Sequence, residues 1–291
     1  MIVNNEKLRV LVLGASGMLG NTLFRLFSQS DTFNTTGAMR SSGALGQLPA
    51  ALHKNIIHGL DVGNMDNLHQ VFSRVRPDVV INCIGLVKQL LEAEDPLAAI
   101  PINALLPHRI ARLCDLAAAR LIHVSTDCVF SGEKGGYREG DRADANDLYG
   151  RSKYLGEVDY SHAITLRTSI IGHELNSSHG LVNWFLAQQA EVKGYTNAIF
   201  SGLPTLELAR VIRDLIIPNT GLRGVYHVSA EPISKFDLLQ LIAKVYGKKI
   251  TVSPDDVLTI DRSLNSDRFR LAVGYAPPSW PDLIQQMSEF R

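Results

Sequence analysis

LRVLVLGASGMLGNTLFRL, residues Leu8–Leu26, is the stretch that decides the fold of this 291-residue chain. It begins with a short apolar run, Leu8–Leu13, that only Arg9 interrupts. Three glycines follow at three-residue intervals, Gly14, Gly17 and Gly20. Apolar residues then recur at helical spacing. The pattern predicts a strand, a glycine turn and a helix, and the unbroken apolar run is typical of a parallel strand covered on both faces.

The glycine turn suggests a ligand as well as a fold. Glycine lets the backbone turn sharply and approach a ligand, because no Cβ is in the way. The helix after the turn would direct its free N–H groups and the positive end of its dipole towards that point, which suits a pyrophosphate. We therefore predict a dinucleotide-binding loop, with a turn that binds nothing as the alternative.

Composition limits the classes of partner. Lys and Arg together number 29 and Asp and Glu together also number 29, so the formal net charge is zero. No overall attraction to nucleic acid or to an anionic membrane is expected. The three cysteines have no CxxC or CxxH spacing, which argues against a metal site or a disulfide framework and suits a reducing cytoplasm. Residues 1–7 are too short and polar for a signal peptide, and no apolar run approaches the roughly 20 residues of a membrane-spanning helix.

Strands and helices alternate along the first part of the chain. Strands are expected at 32–39, 56–62, 78–85, 120–130 and 163–171, and helices at 64–75, 95–119 and 147–160. Pro101 and Pro107 are expected to bend or break the helix at 95–119. The alternation predicts an α/β fold with a Rossmann-type, doubly wound parallel sheet.

The pattern changes after Gly172. Helices are expected at 181–190, 205–216 and 235–246, a return strand at 224–228, and a last helix after a rigid turn at 277–281. We therefore divide the chain into a dinucleotide-binding domain at 1–171, which regains a strand and a helix near 224–246, and a smaller C-terminal lobe. That lobe, mainly 172–291, is expected to bind the substrate.

The residues after the second strand favour NADPH over NADH. A dinucleotide fold that takes NAD usually carries an acidic residue about 20 residues past the glycines, for the ribose 2′-hydroxyl. No Asp or Glu lies between Asp31 and Asp61, and Arg40 and Ser41 stand there instead. A cation and a hydroxyl suit a 2′-phosphate. A solvated surface arginine is the alternative for Arg40.

Three side chains are expected to meet at the carboxyl edge of the sheet. Thr126 ends one strand, while Tyr149 and Lys153 share a face of the next helix because they are four residues apart. A tyrosine with a pKa of about 10 can donate a proton at neutral pH, and a neighbouring ammonium should lower that pKa. Thr126 can hold the same carbonyl oxygen while a nicotinamide supplies hydride to the carbonyl carbon. An ordinary helix surface pair is the alternative for Tyr149 and Lys153.

Further candidates lie at strand ends and in the C-terminal lobe. Cys83, Ile84 and Gly85 end a buried strand and should lie along the cofactor. Lys88 stands just beyond and could contact an anionic substrate or simply be solvated. Arg262 could grip a phosphate through its planar guanidinium, with a solvated arginine as the alternative.

Taken together, three motifs resemble the extended short-chain dehydrogenase/reductase family: GASGMLG at 14–20, STDCVF at 125–130 and YGRSK at 149–153. Within it, and with Arg167-Thr168-Ser169 added, the chain is similar over nearly its whole length to the dTDP-4-dehydrorhamnose reductase group. The resemblance implies Thr126, Tyr149 and Lys153 as the catalytic set, with Tyr149 and Lys153 also at the cofactor. It implies further cofactor contacts from Gly14, Ser16, Gly17, Met18, Leu19, Arg40, Asp61, Val62, Cys83, Ile84, Gly85 and Asn103.

The substrate side departs from the family pattern at two places. Cys128 stands where an aromatic residue is expected, and so does Ile170, both near the sugar. The resemblance implies that Asp127 contacts the sugar, and the expected substrate residues are therefore Lys88, Asp127, Cys128, Ile170 and Arg262. Dehydration is disfavoured, because Cys128 replaces the glutamate of the nucleotide-sugar dehydratases.

The expected activity is the NADPH-dependent reduction of the C4 keto group of a nucleotide-linked 4-keto-6-deoxyhexose, for a surface polysaccharide. A UDP-linked, N-acetylated 6-deoxy-4-ketohexose is an alternative substrate. A non-catalytic NADP-binding regulatory subunit and an epimerase that keeps its cofactor are alternative functions. We expect a cytoplasmic protein with no metal and no nucleic-acid or membrane partner, and the resemblance leaves a homodimer open.

Overall fold

The computed structural model describes residues 6–290. Residues 1–5, which make up most of the segment interpreted as too polar for a signal peptide, lie outside the described residues. Within 6–290, every helix is too short or too polar to cross a membrane.

Strands and helices alternate as far as β6 and then become irregular. The strands are β1 (Leu8–Leu13), β2 (Phe33–Ala38), β3 (Ile56–Ile57), β4 (Val79–Asn82), β5 (Arg120–Val124), β6 (Ala163–Arg167), β7 (Ile170–Ile171), β8 (Val192–Tyr195), β9 (Ala198–Phe200), β10 (Leu203–Pro204), β11 (Gly224–His227), β12 (Ile233–Ser234), β13 (Val252–Asp255) and β14 (Ile260–Asp261). The helices are α1 (Met18–Ser28), α2 (Met65–Val75), α3 (Pro96–Ala99), α4 (Leu106–Leu116), α5 (Leu148–Leu155), α6 (Leu181–Ala187), α7 (Thr205–Val211), α8 (Lys235–Val245), α9 (Asp267–Val273) and α10 (Trp280–Glu289).

The central sheet has seven parallel strands in the order β3-β2-β1-β4-β5-β6-β11. The chain runs outwards from β1 to β3, returns to β4 beside β1, and then runs outwards in the opposite direction. The strand order therefore reverses between β1 and β4, and ligands of such sheets bind outside the carboxyl ends of the strands at that point. The predicted Rossmann-type α/β fold is confirmed.

Strand β1 is apolar on both faces, because its alternate residues pack against helices on opposite sides of the sheet. Val10 and Val12 belong to a core shared with α1 and α7, whereas Leu11 and Leu13 belong to a core shared with α2 and α4. All four side chains are fully buried. At roughly 1.5–3 kcal/mol for each large apolar side chain, such burial makes this strand a main source of stability.

The C-terminal lobe has its own core, built mainly from α6, α8 and α10. Phe185, Leu238, Ile242, Ile284 and Met287 are buried there together. The helix expected to accompany the return strand, residues 235–246, thus packs in the lobe and not on the sheet. Its place on the sheet is taken by α7, which packs on α1 and precedes β11. The reason is topological, because the crossover to a parallel strand must come before that strand.

Several element bounds differ from those expected. β3 contains two residues where 56–62 was expected, and β5 ends at Val124, since the chain then enters a short 3₁₀ turn, Asp127–Val129. The chain stays helical from Pro96 to Leu116 despite its internal prolines. The stretch Ile100–Leu105 accommodates them by widening to a π-helix, in which Leu106 N donates to Pro101 O.

Candidate active site

The glycine turn after β1 forms a cradle at the carboxyl edge of the sheet. Gly14 has a φ of 85°, and an ideal Cβ there would lie 3.2 Å from the carbonyl carbon of Cys83. A Cβ on Gly20 would collide with the Gly14 carbonyl oxygen. Gly17 N donates to that same oxygen (2.9 Å), and Gly17 precedes α1 without a side-chain cap. The first N–H groups of α1, which include those of Met18 and Leu19, are therefore available to an anion.

Arg40 and Asp61 lie at the neighbouring strand ends. The Arg40 side chain is exposed just after β2, and Arg40 O accepts from Gly59 N (3.1 Å), which joins the segments that follow β2 and β3. Ser41 caps the following turn, since its hydroxyl accepts from Gly43 N (3.2 Å). Asp61 accepts from Gly63 N (2.9 Å), and Val62 packs against the core beside it. The predicted adenosine-side residues thus share one rim.

Asn103 joins the loop after β4 to helix α5. It is fully buried in the π-helical stretch. Its Oδ1 accepts from Leu86 N (2.9 Å) and its Nδ2 donates to the Ser152 hydroxyl (3.2 Å). The loop just before Leu86 contains Cys83, Ile84 and Gly85. It begins beside Gly14 at the end of β1 and reaches α5 at Gly85, where an ideal Cβ would lie 3.7 Å from Lys153 Nζ. The route predicted for the cofactor therefore ends beside the Lys153 amine.

Thr126, Tyr149 and Lys153 are gathered where β5 ends. The backbone of α5 is seated against the turn after β5, because a Cβ on Gly150 would collide with the Cys128 carbonyl oxygen. Lys153 is 5% exposed, and its Nζ donates to Val124 O (2.9 Å). Thr126 donates to Asp127 Oδ1 (3.2 Å) and accepts from Cys128 N (3.1 Å). A hydroxyl, a phenol and an amine thus converge on the carboxyl edge of the sheet.

Burial, and not the neighbouring amine, governs the phenol of Tyr149. Burial raises its pKa, Cys128 and Asp127 add to the increase, and a hydrogen bond with Thr126 opposes it. The predicted lowering by Lys153 was therefore wrong for the protein alone, because desolvation of the phenolate dominates. Burial also lowers the pKa of Lys153 to about 8, with Glu157 and Cys83 opposing. At neutral pH the phenol carries its proton and the amine is mostly charged.

Asp127, Cys128 and Arg262 all meet the turn after β5. Burial raises the pKa of Asp127, and the charges of Arg262 and Lys235 oppose the increase. Arg262 Nε donates to Phe130 O (2.8 Å) and so holds the guanidinium against the turn after β5. Lys235, the first residue of α8, was missed from the sequence, because nothing local shows that α8 begins beside Asp127.

The other two predicted substrate residues are held by different parts of the fold. Lys88 Nζ donates to Asp147 Oδ2 (2.6 Å), and Asp147 caps α5 by accepting from Gly150 N (2.7 Å). Lys88 is therefore ion-paired and not simply solvated. Ile170 lies in β7 opposite Leu203 of β10 and packs against the core of the sheet.

A buried ion pair behind the site was not predicted. Glu157 Oε1 accepts from the Ser125 hydroxyl (2.8 Å) and from Arg167 Nε (2.8 Å), and its Oε2 accepts from Arg167 Nη2 (2.7 Å). The two charged side chains are 6% and 4% exposed. Glu157 is four residues after Lys153, and that spacing could have placed it on the same side of the helix.

The parallel sheet, the glycine turn and the Thr126, Tyr149 and Lys153 cluster define a protein of the short-chain dehydrogenase/reductase type. The chain belongs to the RmlD substrate binding domain family, whose sequence profile matches residues 8–271. Within residues 6–290, no group of three or more His, Cys, Asp or Glu residues is arranged to hold a metal ion.

Known proteins similar to this chain include dTDP-4-dehydrorhamnose reductases and a subunit of methionine adenosyltransferase. dTDP-4-dehydrorhamnose reductase from Mycobacterium tuberculosis is 33% identical over 252 residues, which cover 82% of this chain and 76% of that protein. Methionine adenosyltransferase 2 subunit beta from Danio rerio is 27% identical over 253 residues, covering 82% and 74%. The crystal structure of dTDP-4-dehydrorhamnose reductase from Bacillus anthracis in complex with NADP superposes with a TM-score of 0.80 and 24% identity, covering 98% of this chain and 99% of that one.

Proposed function

We propose that this protein is an NADPH-dependent reductase of the C4 keto group of a nucleotide-linked 4-keto-6-deoxyhexose. One observation carries the proposal: the amine of Lys153, held by Val124 O, lies with Thr126 and Tyr149 at the end of β5, and an ideal Cβ on Gly85 would lie 3.7 Å from that amine. This is the edge of the sheet where Rossmann-type folds bind ligands. The family membership and the 33% identity to a reductase from Mycobacterium tuberculosis support the substrate class.

The chain offers a set of groups that fit NADPH. The turn from Gly14 to Leu19 would hold the pyrophosphate, because its glycines admit close approach and the first N–H groups of α1 have no side-chain cap. Arg40 and Ser41 would hold the 2′-phosphate, Asp61 and Val62 the adenosine, and Lys153 the nicotinamide ribose. Residues 83–85, supported by Asn103, would line the path between these ends. When bound, the cofactor supplies the hydride.

A side chain of the protein would supply the proton that the reduction requires. Tyr149 would donate its phenol proton to the carbonyl oxygen of the substrate, and its raised pKa keeps that proton in place at neutral pH. Thr126 would hold the same oxygen by a hydrogen bond. Lys153 is mostly charged below a pH of about 8, and its ammonium group would donate hydrogen bonds to the nicotinamide ribose.

The substrate phosphates would be recognised by cations beside Asp127. The charges of Arg262 and Lys235 both act on this carboxyl group, and an arginine anchored through Nε can still present its terminal nitrogens to a phosphate. Asp127 would accept a sugar hydroxyl. Cys128, next to Asp127, is smaller than the aromatic residue expected at its position, which would leave room for a bulkier sugar such as an N-acetylated one.

Replacing Tyr149 with phenylalanine tests the proposed acid. Tyr149→Phe keeps the ring and removes the hydroxyl, so NADPH should bind within about two-fold of the unchanged protein while kcat falls by roughly 10²–10⁴. Tyr154→Phe, on the same helix but 47% exposed, is the matched control and should leave kcat unchanged. NADPH absorbance would be followed with dTDP- and UDP-linked 4-keto-6-deoxysugars made in place by their dehydratases. Unchanged turnover by Tyr149→Phe would remove Tyr149 as the acid.

The similarity to methionine adenosyltransferase 2 subunit beta from Danio rerio favours a second candidate function, a cofactor-binding regulatory subunit. Such a protein would bind NADPH tightly, oxidise it with none of the keto-sugars and co-purify with a partner enzyme. An epimerase would instead convert the sugar with no net consumption of NADPH. NADPH absorbance identifies the reductase, because only a reductase consumes NADPH. Analysis of the sugar product then separates an epimerase, which converts the sugar, from a regulatory subunit, which leaves it unchanged and co-purifies with a partner enzyme.

A further inference from the structure

We infer that the buried cluster Ser125, Glu157 and Arg167 is a positioning device that fixes the Thr126 end of β5 relative to the helix carrying Tyr149 and Lys153. The inference rests on the proposed reductase function, in which Thr126 and Tyr149 act on the same carbonyl oxygen and Lys153 holds the cofactor beside them. None of the cluster residues belongs to the proposed catalytic set, and each acts through the backbone or the charge of a neighbour.

The Ser125 hydroxyl connects the cluster to the end of β5. Ser125 lies between Val124, whose carbonyl accepts from Lys153 Nζ (2.9 Å), and Thr126. Its Oγ donates to Glu157 Oε1 (2.8 Å). Glu157 follows α5 by two residues, so the hydrogen bonds of Lys153 and Ser125 tie two successive residues of the strand end to the end of one helix. Thr126 is the next residue in line.

The other side of Glu157 is anchored to the sheet. Arg167, the last residue of β6, donates to both carboxylate oxygens at 2.8 and 2.7 Å, and its Nη1 donates to His227 Nε2 of β11 (3.3 Å). Its guanidinium also lies over the Phe130 ring, 5.2 Å from the centroid. Bidentate pairing of this kind restricts orientation as well as distance. The carboxylate is therefore held from β5 and from β6 at once.

Glu157 also bears on the charge of Lys153. The two groups bond adjacent residues of one segment, since Lys153 Nζ donates to Val124 O (2.9 Å) and Glu157 Oε1 accepts from the Ser125 hydroxyl (2.8 Å). The titratable groups whose charges interact with the amine are Glu157 after α5, Cys83 after β4 and His123 on β5. Glu157 and Cys83 favour the charged amine, and burial opposes it. Loss of the Glu157 charge should therefore make Lys153 lose its proton at a lower pH.

Ser125→Ala tests the positioning without breaking the ion pair. We expect kcat to fall by about ten- to one hundred-fold with the KM for NADPH changed by less than about three-fold, since small displacements of catalytic groups cost rate and not binding. Thr165→Val is the matched control, because the buried Thr165 hydroxyl bonds the backbone of Val158, the residue after Glu157, at N (3.0 Å) and O (2.9 Å), and not residues 124–126. Thr165→Val should keep kcat. An equal decrease of kcat in Ser125→Ala and Thr165→Val would overturn the inference.

Glu157→Gln tests the charge. The affinity for NADPH, measured by fluorescence over a range of pH, should weaken as Lys153 loses its proton, and in this variant the weakening should move to lower pH by about one unit. Glu157→Asp keeps the charge and should restore the wild-type position. If Glu157→Gln does not fold, because it leaves Arg167 unpaired, Glu157→Gln/Arg167→Met removes both charges and takes its place.

An unmoved pH profile in the variant without the Glu157 charge would overturn the charge part of the inference. Because this readout is cofactor binding, it still applies if the wild-type protein reduces none of the sugars, a result that would instead reject the proposed function. A wild-type protein that turns over sugars, combined with unaltered kcat in Ser125→Ala, would reject the positioning part alone.

Discussion

Replacing Lys153 with methionine should make the folded protein more stable while removing the cation proposed to hold the cofactor. Lys153 is 5% exposed, and its ammonium group has one hydrogen-bond acceptor, Val124 O. Burial lowers its pKa from 10.5 to about 8, so the folded state carries this charge at a cost. Methionine has a similar length and no charge to desolvate.

The size of the effect follows from the pKa. A difference of about 2.5 units, at about 1.4 kcal/mol a unit, corresponds to about 3 kcal/mol near pH 7. Loss of the hydrogen bond to Val124 O offsets about 1 kcal/mol, which leaves a gain of about 2 kcal/mol for methionine. The unfolded chain binds more protons than the folded one between about pH 8 and 10.5, so the stability of the wild-type protein rises with pH in that window. The advantage of methionine should therefore shrink to near zero at about pH 9.5.

Urea unfolding at about pH 7 and about pH 9.5 measures the stability gain of Lys153→Met and its decrease with pH. A fluorescence titration with NADPH measures the expected loss of cofactor binding. Lys249→Met, at an exposed position in the C-terminal lobe, is the matched control and should give a difference that does not depend on pH. A Lys153→Met protein that is less stable than wild type near pH 7 would refute the reasoning. So would a gain that stays constant between the two pH values.

Two further substitutions test other parts of the structure. Arg40→Ala should raise the Kd for NADPH by about ten-fold or more while leaving that for NADH unchanged, because only a 2′-phosphate pairs with the guanidinium; equal weakening of both in a fluorescence titration would count against this role. Ala118→Gly should raise the free energy of unfolding by about 0.5–1 kcal/mol, because Ala118 is exposed with a φ of 51°, a left-handed conformation that glycine adopts at less cost. Ala117→Gly, one residue earlier at a φ of −88°, should instead lower the free energy of unfolding. Thermal unfolding of both variants and of the wild-type protein measures the two changes.

The parts of the fold that depend on local pattern could be predicted from the sequence. β1 has an unbroken apolar run because both of its faces are buried, and the glycines that follow are required by the packing of Gly14 against Cys83 and of Gly20 against Gly14. These are short-range consequences of one strand meeting one helix. The fold class and the family resemblance, which depend on them, are confirmed.

The parts that depend on long-range packing could not be predicted. Helical periodicity shows that α8 buries one face, but not that the face meets α10 and β8 in the lobe instead of the central sheet. The predicted direction of the pKa shift of Tyr149 was wrong for a related reason. The spacing of residues indicates a neighbouring charge but carries no information about desolvation. Glu157 was overlooked because its partners are distant in the sequence: Ser125 directly follows β5, and Arg167 ends β6.

Helix α5 shows how these two levels combine at the proposed site. It has eight residues, too few to be stable alone in water, so contacts with the rest of the protein must hold it. Those contacts lie at both ends: Gly150 is seated on the Cys128 carbonyl, and Gly156 is seated on the Asn103 carbonyl. The helix itself sets the spacing of Tyr149 and Lys153, as their four-residue interval suggests. Their position relative to Thr126 is set instead by the two glycine contacts and by Glu157, so this geometry depends on residues that carry no chemistry.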